Sequence, residues 1–336
     1  MFIKKDLRKI PKILEDSKIV DEEDKTQNDD ATRSVKRLRR PEPLQELRLS
    51  RRQQEFQGSI QLLCQPKNLP TLKHLQFLNL YDCAISNLNG IGLLEDCPLQ
   101  VLNLGRNPLS SLPDEIARLK SLKDLWMEDC HLEGPLPNCL LQLVQLESLR
   151  VANNQITTIP KMISQLRNLQ LLCLDRNLLT ELPNELANLS NLHSLFLRHN
   201  QLSTLPENLF LSLPLQVLHV SSNRLIRLPN SMSKCTTLTH VYANSNHLKS
   251  LPIGLDTLPN LKRMVFSHNN IDSVSTDFMA QWGTTTLHSV TGICQNDHCT
   301  ILLNHNPVVT HDDEGKGDHA TDVDVDVTMS TPIVAA

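Results

Sequence analysis

Aromatic side chains are scarce in this chain of 336 residues: Phe, Trp and Tyr make up 3% of it, whereas 40% is hydrophobic. The interior must therefore be built from aliphatic side chains. A conventional core stops growing at about 250 residues, whereas a repeat protein escapes that limit because each unit packs only on its neighbours. The ten glycines form no phosphate-binding loop, and no Ser, His and acidic residues stand in a catalytic motif. The sequence therefore predicts a protein that is not an enzyme, without catalytic residues or a cofactor.

A strong net charge and long apolar runs are also missing. The formal net charge is -4 at pH 7, too weak to draw the whole molecule to nucleic acid or to an anionic membrane. No segment approaches the roughly 20 apolar residues that span a bilayer, and residues 1–20 lack the apolar centre of a signal peptide. The nine cysteines are scattered without paired spacing, which suits a reducing compartment. We expect a soluble cytoplasmic protein, with the nucleus as an alternative, that binds neither nucleic acid nor membrane.

Leucine, in contrast, recurs at a fixed interval. A start leucine returns every 23 or 24 residues, at Leu75, Leu99, Leu122, Leu146, Leu169, Leu192, Leu215, Leu238 and Leu261. Within each unit the leucine spacing changes from two residues to three or four, which is typical of a short strand followed by a helical or extended return segment. One such strand cannot bury its apolar face alone, but strands stacked at about 4.8 Å form a continuous parallel sheet. The pattern predicts an α/β solenoid of nine regular repeats with irregular caps.

Two further residue types mark the turns of each repeat. Asparagine stands where the chain leaves the strand, at Asn107, Asn154, Asn177, Asn200, Asn223, Asn246 and Asn269. A side-chain amide can satisfy the backbone groups of a buried turn, and Cys83 and Cys130 take this position in the first and third repeats. Proline begins the return segment, where no strand partner needs an N–H donor, at Pro113, Pro160, Pro183, Pro206, Pro229 and Pro252.

This pattern resembles the leucine-rich-repeat family over residues 75–275. The resemblance implies a horseshoe with a concave parallel sheet that binds another protein. The Leu-Pro form with 23-residue periods is similar to the intracellular Ras-group type, which implies a signalling scaffold with a small GTPase, kinase or phosphatase as partner. The third repeat, with residues 132–137 reading LEGPLP, resembles the plant-type repeat instead.

The repeats divide the chain into five parts. We expect a mostly disordered segment over 1–43, an N-terminal cap over 44–74, the solenoid over 75–274, a C-terminal cap over 275–310 and a disordered acidic tail over 311–336. The first part of the N-terminal cap has helical spacing, and residues 60–64 could add a strand. Ile301, Leu303 and Asn306 predict an irregular tenth strand, covered by the stretch that contains Phe278 and Trp282. Residues 7–14 copy the second half of a repeat, and whether they dock on the solenoid stays open.

The residues between the buried leucines face the opposite, concave side of the sheet. This chain has two Trp and two Tyr, and one Trp and both Tyr fall on that face together with several Arg. Aromatic and Arg side chains dominate the binding energy of interfaces, although open strand positions also accept aromatics through β-propensity alone. The predicted partner-binding residues are Tyr81, Trp126, Arg150, Asp175, Arg176, Phe196, Arg198, His219 and Tyr242.

Other clusters support weaker hypotheses. Cys294, His298, Cys299 and His305 have a metal-like composition, but their spacing fits no common zinc module and indicates a cap, so no metal site is predicted. The basic run at residues 36–40 reads either as an import or nucleic-acid patch or as a solvated linker. The function predicted is an adaptor that binds a partner protein on the concave sheet; the alternative is a substrate-recognition subunit of a larger enzyme complex. The sequence leaves the partner, the pathway and the oligomeric state open.

Overall fold

The structure, a computed structural model, describes residues 43–272, 293–295, 300–303 and 306. Its strands are three or four residues long, as expected for a unit that turns immediately after one buried side chain. In chain order they are β1 Glu46–Arg48, β2 Phe77–Asn79, β3 Val101–Asn103, β4 Asp124–Trp126, β5 Glu133–Pro135, β6 Ser148–Arg150, β7 Gln155–Thr158, β8 Leu171–Cys173, β9 Ser194–Phe196, β10 Val217–His219, β11 His240–Tyr242, β12 Arg263–Val265, β13 Ile293–Gln295 and β14 Thr300–Leu302.

One main sheet carries the strand of every predicted repeat. Its order is β1-β2-β3-β4-β6-β8-β9-β10-β11-β12-β14-β13, and all neighbouring pairs except β13 with β14 are parallel. The middle residue of each main-sheet strand from β1 to β12 is fully buried, and each one stands directly opposite the next, as Leu172 does between Leu149 and Leu195. Each buried leucine contributes about 1.5–3 kcal/mol of transfer free energy. The predicted α/β leucine-rich-repeat solenoid is confirmed.

Helical turns form the return side of the solenoid. The short α-helices are Gln53–Phe56, Leu69–Leu72 and Leu209–Ser212, and the 3-10 helices are Ile60–Leu62, Ile91–Leu94, Asp114–Arg118, Leu140–Gln142, Lys161–Gln165, Asn184–Asn188, Asn230–Lys234 and Leu255–Thr257. The prediction that proline begins this segment is confirmed in four of the six repeats, since Pro113, Pro160, Pro183 and Pro229 each cap the N-terminus of a 3-10 helix in an extended conformation. The helices after Pro206 and Pro252 begin later, with Asn208 and Gly254 as N-caps. Helical turns need more room between repeats than strands do, so the stack curves with the sheet on its inner, concave side.

A second, two-stranded parallel sheet lies outside the main one. It pairs β5 with β7, with a register shift between Gly134 and Pro135. Gly134 has a φ of 72°, and no neighbouring heavy atom lies within 4 Å of where its Cβ would stand. The first strand of this side sheet, β5, thus lies in the third repeat, whose LEGPLP stretch departs from the other repeats. The repeat pattern did not predict this second sheet.

The N-terminal cap differs from its prediction. Glu46–Arg48 is a strand that pairs in register with Phe77–Asn79, whereas residues 60–62 form a 3-10 helix and not a strand. The leucine spacing of three residues from Leu44 to Leu47 fits one helical turn, but Leu49 completes the strand pattern of a repeat. Stacking on the exposed edge of β2 decides between the two, because it buries Leu47 and Leu49. The cap is thus built on an additional strand of the solenoid.

The C-terminal prediction is confirmed where the structure describes it. The predicted tenth strand is β14, which pairs with β12, and Leu303 is buried. The Asn306 amide donates to Phe266 O at 2.9 Å and accepts from Ile271 N at 3.1 Å, as the asparagines of regular repeats do. The predictions for residues 1–42, for the Phe278 and Trp282 stretch, for His298, Cys299 and His305 of the cluster and for the acidic tail lie outside the described residues. Among those described, no helix is long and apolar enough to cross a membrane.

Candidate protein-binding face

Each strand of the main sheet from β1 to β12 presents two side chains to the concave side, one on either side of its buried middle residue. The residues after the middle one form a single row in register across the sheet, here called the central row. Its members are Asn79, Asn103, Trp126, Arg150, Cys173, Phe196, His219, Tyr242 and Val265. All of these side chains except buried Asn103 are partly exposed. This is the row that leucine alternation predicts.

An asparagine ladder fixes the turn that ends each strand. The Asn200 amide donates to Leu174 O of the preceding repeat at 2.9 Å and to Leu197 O at 3.1 Å, and its Oδ1 accepts from Leu179 N at 3.0 Å. The predicted cysteine substitutes behave in the same way, since Cys83 Sγ donates to Leu49 O at 2.9 Å and Cys130 Sγ to Leu104 O at 3.3 Å. The ladder therefore holds the exposed residues of neighbouring repeats in a common geometry.

The residue just before each ladder position has a left-handed backbone. Its φ lies between 53° and 58° in nine consecutive repeats, at Asp82, Arg106, Asp129, Asn153, Arg176, His199, Ser222, Ser245 and His268. None of these is glycine, so each turn carries a conformational cost that the ladder and packing offset. Asp175 and Arg176 therefore project from a fixed turn and not from the strand itself.

The N-terminal part of the face contains two cation–π pairs. The Arg150 guanidinium lies 5.7 Å from the centre of the Trp126 ring, and the Arg106 guanidinium lies 5.7 Å from that of Tyr81. Tyr81 is separated from Trp126 by the repeat that contains Gly105, where a Cβ would come within 3.1 Å of the Tyr81 ring. The structure therefore brings Trp126 and Arg150 together, whereas Tyr81 belongs to a separate contact.

The C-terminal part of the central row is a continuous series of rings. The Phe196 and His219 ring centres are 6.4 Å apart in an edge arrangement, and those of His219 and Tyr242 are 5.1 Å apart. His240, on the same strand as Tyr242, stacks on it at 6.3 Å with planes 16° apart. We call Phe196, His219, Tyr242 and His240 the ring cluster. Three of its four members were predicted as site residues, and the structure brings them into contact.

Burial shifts the pKa of several side chains on the concave face. Burial raises the pKa of Asp175 to about 6, although its carboxylate accepts from Arg198 N at 2.7 Å and lies near the Arg198 and Arg176 side chains. Burial, followed by the charges of Arg198 and His199, lowers the pKa of His219 to about 4. His219 is therefore a neutral ring at physiological pH. Burial also raises the pKa of Glu128 and raises that of Cys173 to about 12, so Cys173 is a thiol and not a nucleophile.

Sequence reasoning missed the second row of the face, formed by the residues before each buried middle one. Phe77, Val101, Leu171 and Val217 are half-buried in this row, and the Arg48 guanidinium lies 4.6 Å from the Phe77 ring centre. The alternation that placed the central row also places this one, because both flank the same buried leucine. The apolar area of the face is therefore larger than the predicted strip.

No group of three or more His, Cys, Asp or Glu suited to a metal ion occurs among residues 43–272 and the other described positions. The cysteines with resolved surroundings are free, and all of them except half-buried Cys173 are buried. What the face offers is a row of rings, guanidinium groups and small polar side chains over a fixed backbone. Chemically this arrangement can bind a surface of matching shape and charge.

Ladder, return helices and parallel sheet together define a leucine-rich-repeat solenoid. The Leucine Rich Repeat family model matches residues 98–119 and 145–166. No functionally curated protein sequence matches the chain.

Solved structures agree with the fold. An LRR protein from Leptospira interrogans is 28% identical over 80% of this chain and 68% of its own, with a TM-score of 0.57. An internalin from Listeria monocytogenes is 21% identical over 73% of this chain and 66% of its own, with a TM-score of 0.59. The structure of the Drosophila Toll–Spatzle complex matches at 22% identity over 78% of this chain and 33% of that one, with a TM-score of 0.61. The chain thus spans between a third and about two thirds of these proteins.

Proposed function

We propose that this chain is a non-enzymatic adaptor that binds a partner protein on its concave face. The observation that carries the proposal is the central row, in which four rings and the Arg150 guanidinium stand half-exposed and in register between β4 and β11. Half-exposed aromatic and Arg side chains on a rigid surface are the residues that contribute most binding energy in protein interfaces. Toll, whose solved complex contains Spatzle, supports the use of this fold for protein binding.

The resemblance to Ras-group repeats extends this proposal to signalling, with a small GTPase, a kinase or a phosphatase component as the partner. The same surface would serve a substrate-recognition subunit of a larger enzyme complex, in which the chain termini would hold the assembly. Removing residues 1–43 separates the two, because it would abolish assembly of such a complex and spare binding to the concave face. An adaptor that acts through the face alone would keep its partner after this truncation.

The proposal is tested by affinity capture with the purified chain and quantitative mass spectrometry of the bound proteins. Trp126→Ala combined with Phe196→Ala should reduce capture of the specific partner at least 30-fold, since an aromatic contact at the centre of an interface contributes about 2 kcal/mol or more. The matched control is Leu211→Ala combined with Ile253→Ala, which truncates two side chains that are 62% and 79% exposed elsewhere. Equal loss in both variants, or in neither, would refute the proposed binding face.

A further inference from the structure

The two halves of the concave face differ in how their charges are compensated. In the first half Arg106 pairs with Asp129 at 3.7 Å, Lys123 pairs with Glu147 at 2.8 Å, and Arg150 lies over Trp126. The exposed positions of β8 to β12 and their turns, here called the C-terminal half, carry a single carboxylate, Asp175. Their basic residues are Arg176, Arg198, Lys262 and Arg263, together with five histidines.

Asp175 lies near Arg176 and Arg198, so this half holds four Arg and Lys cations and one carboxylate in the described part of the chain. Arg176, Lys262 and Arg263 make no ion pair there, whereas Lys262 and Arg263 both lie close enough to His240 to lower its pKa together with burial. Burial, followed by the charges of Arg198 and His199, likewise lowers the pKa of His219. These like charges lie near two rings, and they leave the C-terminal half with a positive potential that the described residues do not neutralise.

Between the cations lies a surface suited to a polypeptide. The ring cluster offers faces and edges for apolar side chains. The turns after β10, β11 and β12 are lined by small uncharged groups, including the half-buried Ser222, Asn244 and Ser267, which can exchange hydrogen bonds with a peptide backbone. Cations at either end of an apolar row match a segment that has acidic residues at its ends and apolar residues between them.

We propose, as a consequence of the proposed function, that the C-terminal half of the face binds an extended acidic segment of the partner protein, with apolar side chains on the ring cluster and carboxylates on the flanking Arg and Lys residues. From β9 to β12 is three strand spacings, about 14 Å, and from β8 to β12 is four, about 19 Å. An extended peptide advances about 3.3 Å per residue. The carboxylates should therefore be separated by about four to six positions.

Selection of random peptides from a display library against the full chain tests this proposal. We expect enrichment of peptides with two acidic residues four to six positions apart and at least one apolar residue between them. A synthetic peptide of the selected sequence should bind about tenfold more weakly to Arg176→Gln combined with Arg263→Gln at low salt, since each exposed ion pair contributes up to about fivefold. It should bind about 30-fold more weakly to Tyr242→Ala.

Two controls make the result decisive. Lys234→Gln removes one positive charge from an exposed residue of the return helices and should leave peptide affinity unchanged. A single-stranded DNA oligonucleotide should not compete with the peptide. Selection of neutral or basic peptides, affinity that survives loss of Arg176 and Arg263, or displacement by the oligonucleotide would overturn the inference. The adaptor function would still stand in that case, because the Trp126 and Phe196 capture experiment does not depend on the partner's charge.

Discussion

The asparagine ladder makes a sharp prediction about stability. Asn200→Ala removes four hydrogen bonds, but it does not leave four orphaned groups. Arg198 O, the most distant acceptor at 3.4 Å, still accepts from Arg176 N at 2.7 Å. Leu174 O still accepts from Asn177 at 3.0 Å and Leu197 O from Asn223 at 2.8 Å, whereas Leu179 N has Asn200 Oδ1 as its hydrogen-bond acceptor. One buried N–H without a partner costs about 1–3 kcal/mol, and the two weakened carbonyl contacts add about 0.5–1.5 kcal/mol each. The free energy of unfolding should fall by about 3 kcal/mol.

Substitution by cysteine should cost less. Cys83 and Cys130 show that a thiol can donate in this position, and in the Cys130 turn the backbone carbonyl of Cys130 accepts from Leu109 N at 2.9 Å. Asn200→Cys should therefore keep one donor contact and allow a backbone acceptor to replace the lost amide oxygen. We expect a loss of about 1–2 kcal/mol.

The assay is urea denaturation followed by circular dichroism, with the midpoint and the slope fitted separately. Asn168→Ala is the matched control, because its exposed amide donates one hydrogen bond to Val144 O at 3.0 Å on the return side and should cost about 1 kcal/mol or less. The reasoning is refuted if the alanine variants at positions 200 and 168 are equally stable. It is also refuted if cysteine at position 200 destabilises as much as alanine.

Further predictions concern the core and the titrating residues of the face. Leu172→Ala, between two buried leucines, should lower the free energy of unfolding by about 3–5 kcal/mol in urea. Asp175 binds its proton more tightly in the folded state than in the unfolded state, so the free energy of unfolding rises as the pH falls from about 6 towards 4. Asp175→Asn should therefore stabilise the protein by at most about 3 kcal/mol at pH 7.5 and should have no stabilising effect at pH 4. His219 has the opposite sign, because its folded pKa of about 4 is depressed and stability is lost as pH falls below 6.5. His219→Phe should reduce this loss of stability at low pH, which is measured by comparing the urea midpoints at pH 7 and pH 4.5. Peptide mapping after iodoacetamide treatment at pH 8 should find Cys173 largely unmodified; rapid alkylation would contradict its thiol state.

The regular repeats were predictable because two signals coincide in each. A buried leucine flanked by exposed residues fixes which way the strand faces, and the asparagine fixes where it ends. The first strand was not predicted, because Leu44 stands 31 residues before Leu75. The intervening Gln53–Phe56 helix interrupts the interval of 23 or 24 residues from which the other strands were predicted. A spacing of three residues between Leu44 and Leu47 is shared by helices and by these strands, so only stacking on β2 could decide.

The alignment of residues on the concave face could be predicted from the sequence, whereas the contacts between their side chains could not. Register follows from the repeat, so the alignment of Phe196, His219 and Tyr242 follows from the spacing of their leucines. The Arg150 contact with Trp126 depends on side-chain rotamers, which no spacing specifies. Asp175 lies in the turn beyond its strand, and its hydrogen bond to Arg198 N arises from that backbone conformation.

The unequal charge compensation indicates where a partner gains most from this surface. In the first half of the face, a charged partner must compete with the Lys123–Glu147 and Arg106–Asp129 pairs, so each new ion pair replaces an existing one and adds little net free energy. In the C-terminal half, a carboxylate brought to Arg176 or Arg263 breaks no ion pair among the described residues. Because the ladder fixes the same backbone in both halves, this difference arises from side chains alone. An acidic partner should therefore make its first lasting contact at the C-terminal half, and its association rate should fall as salt screens that potential.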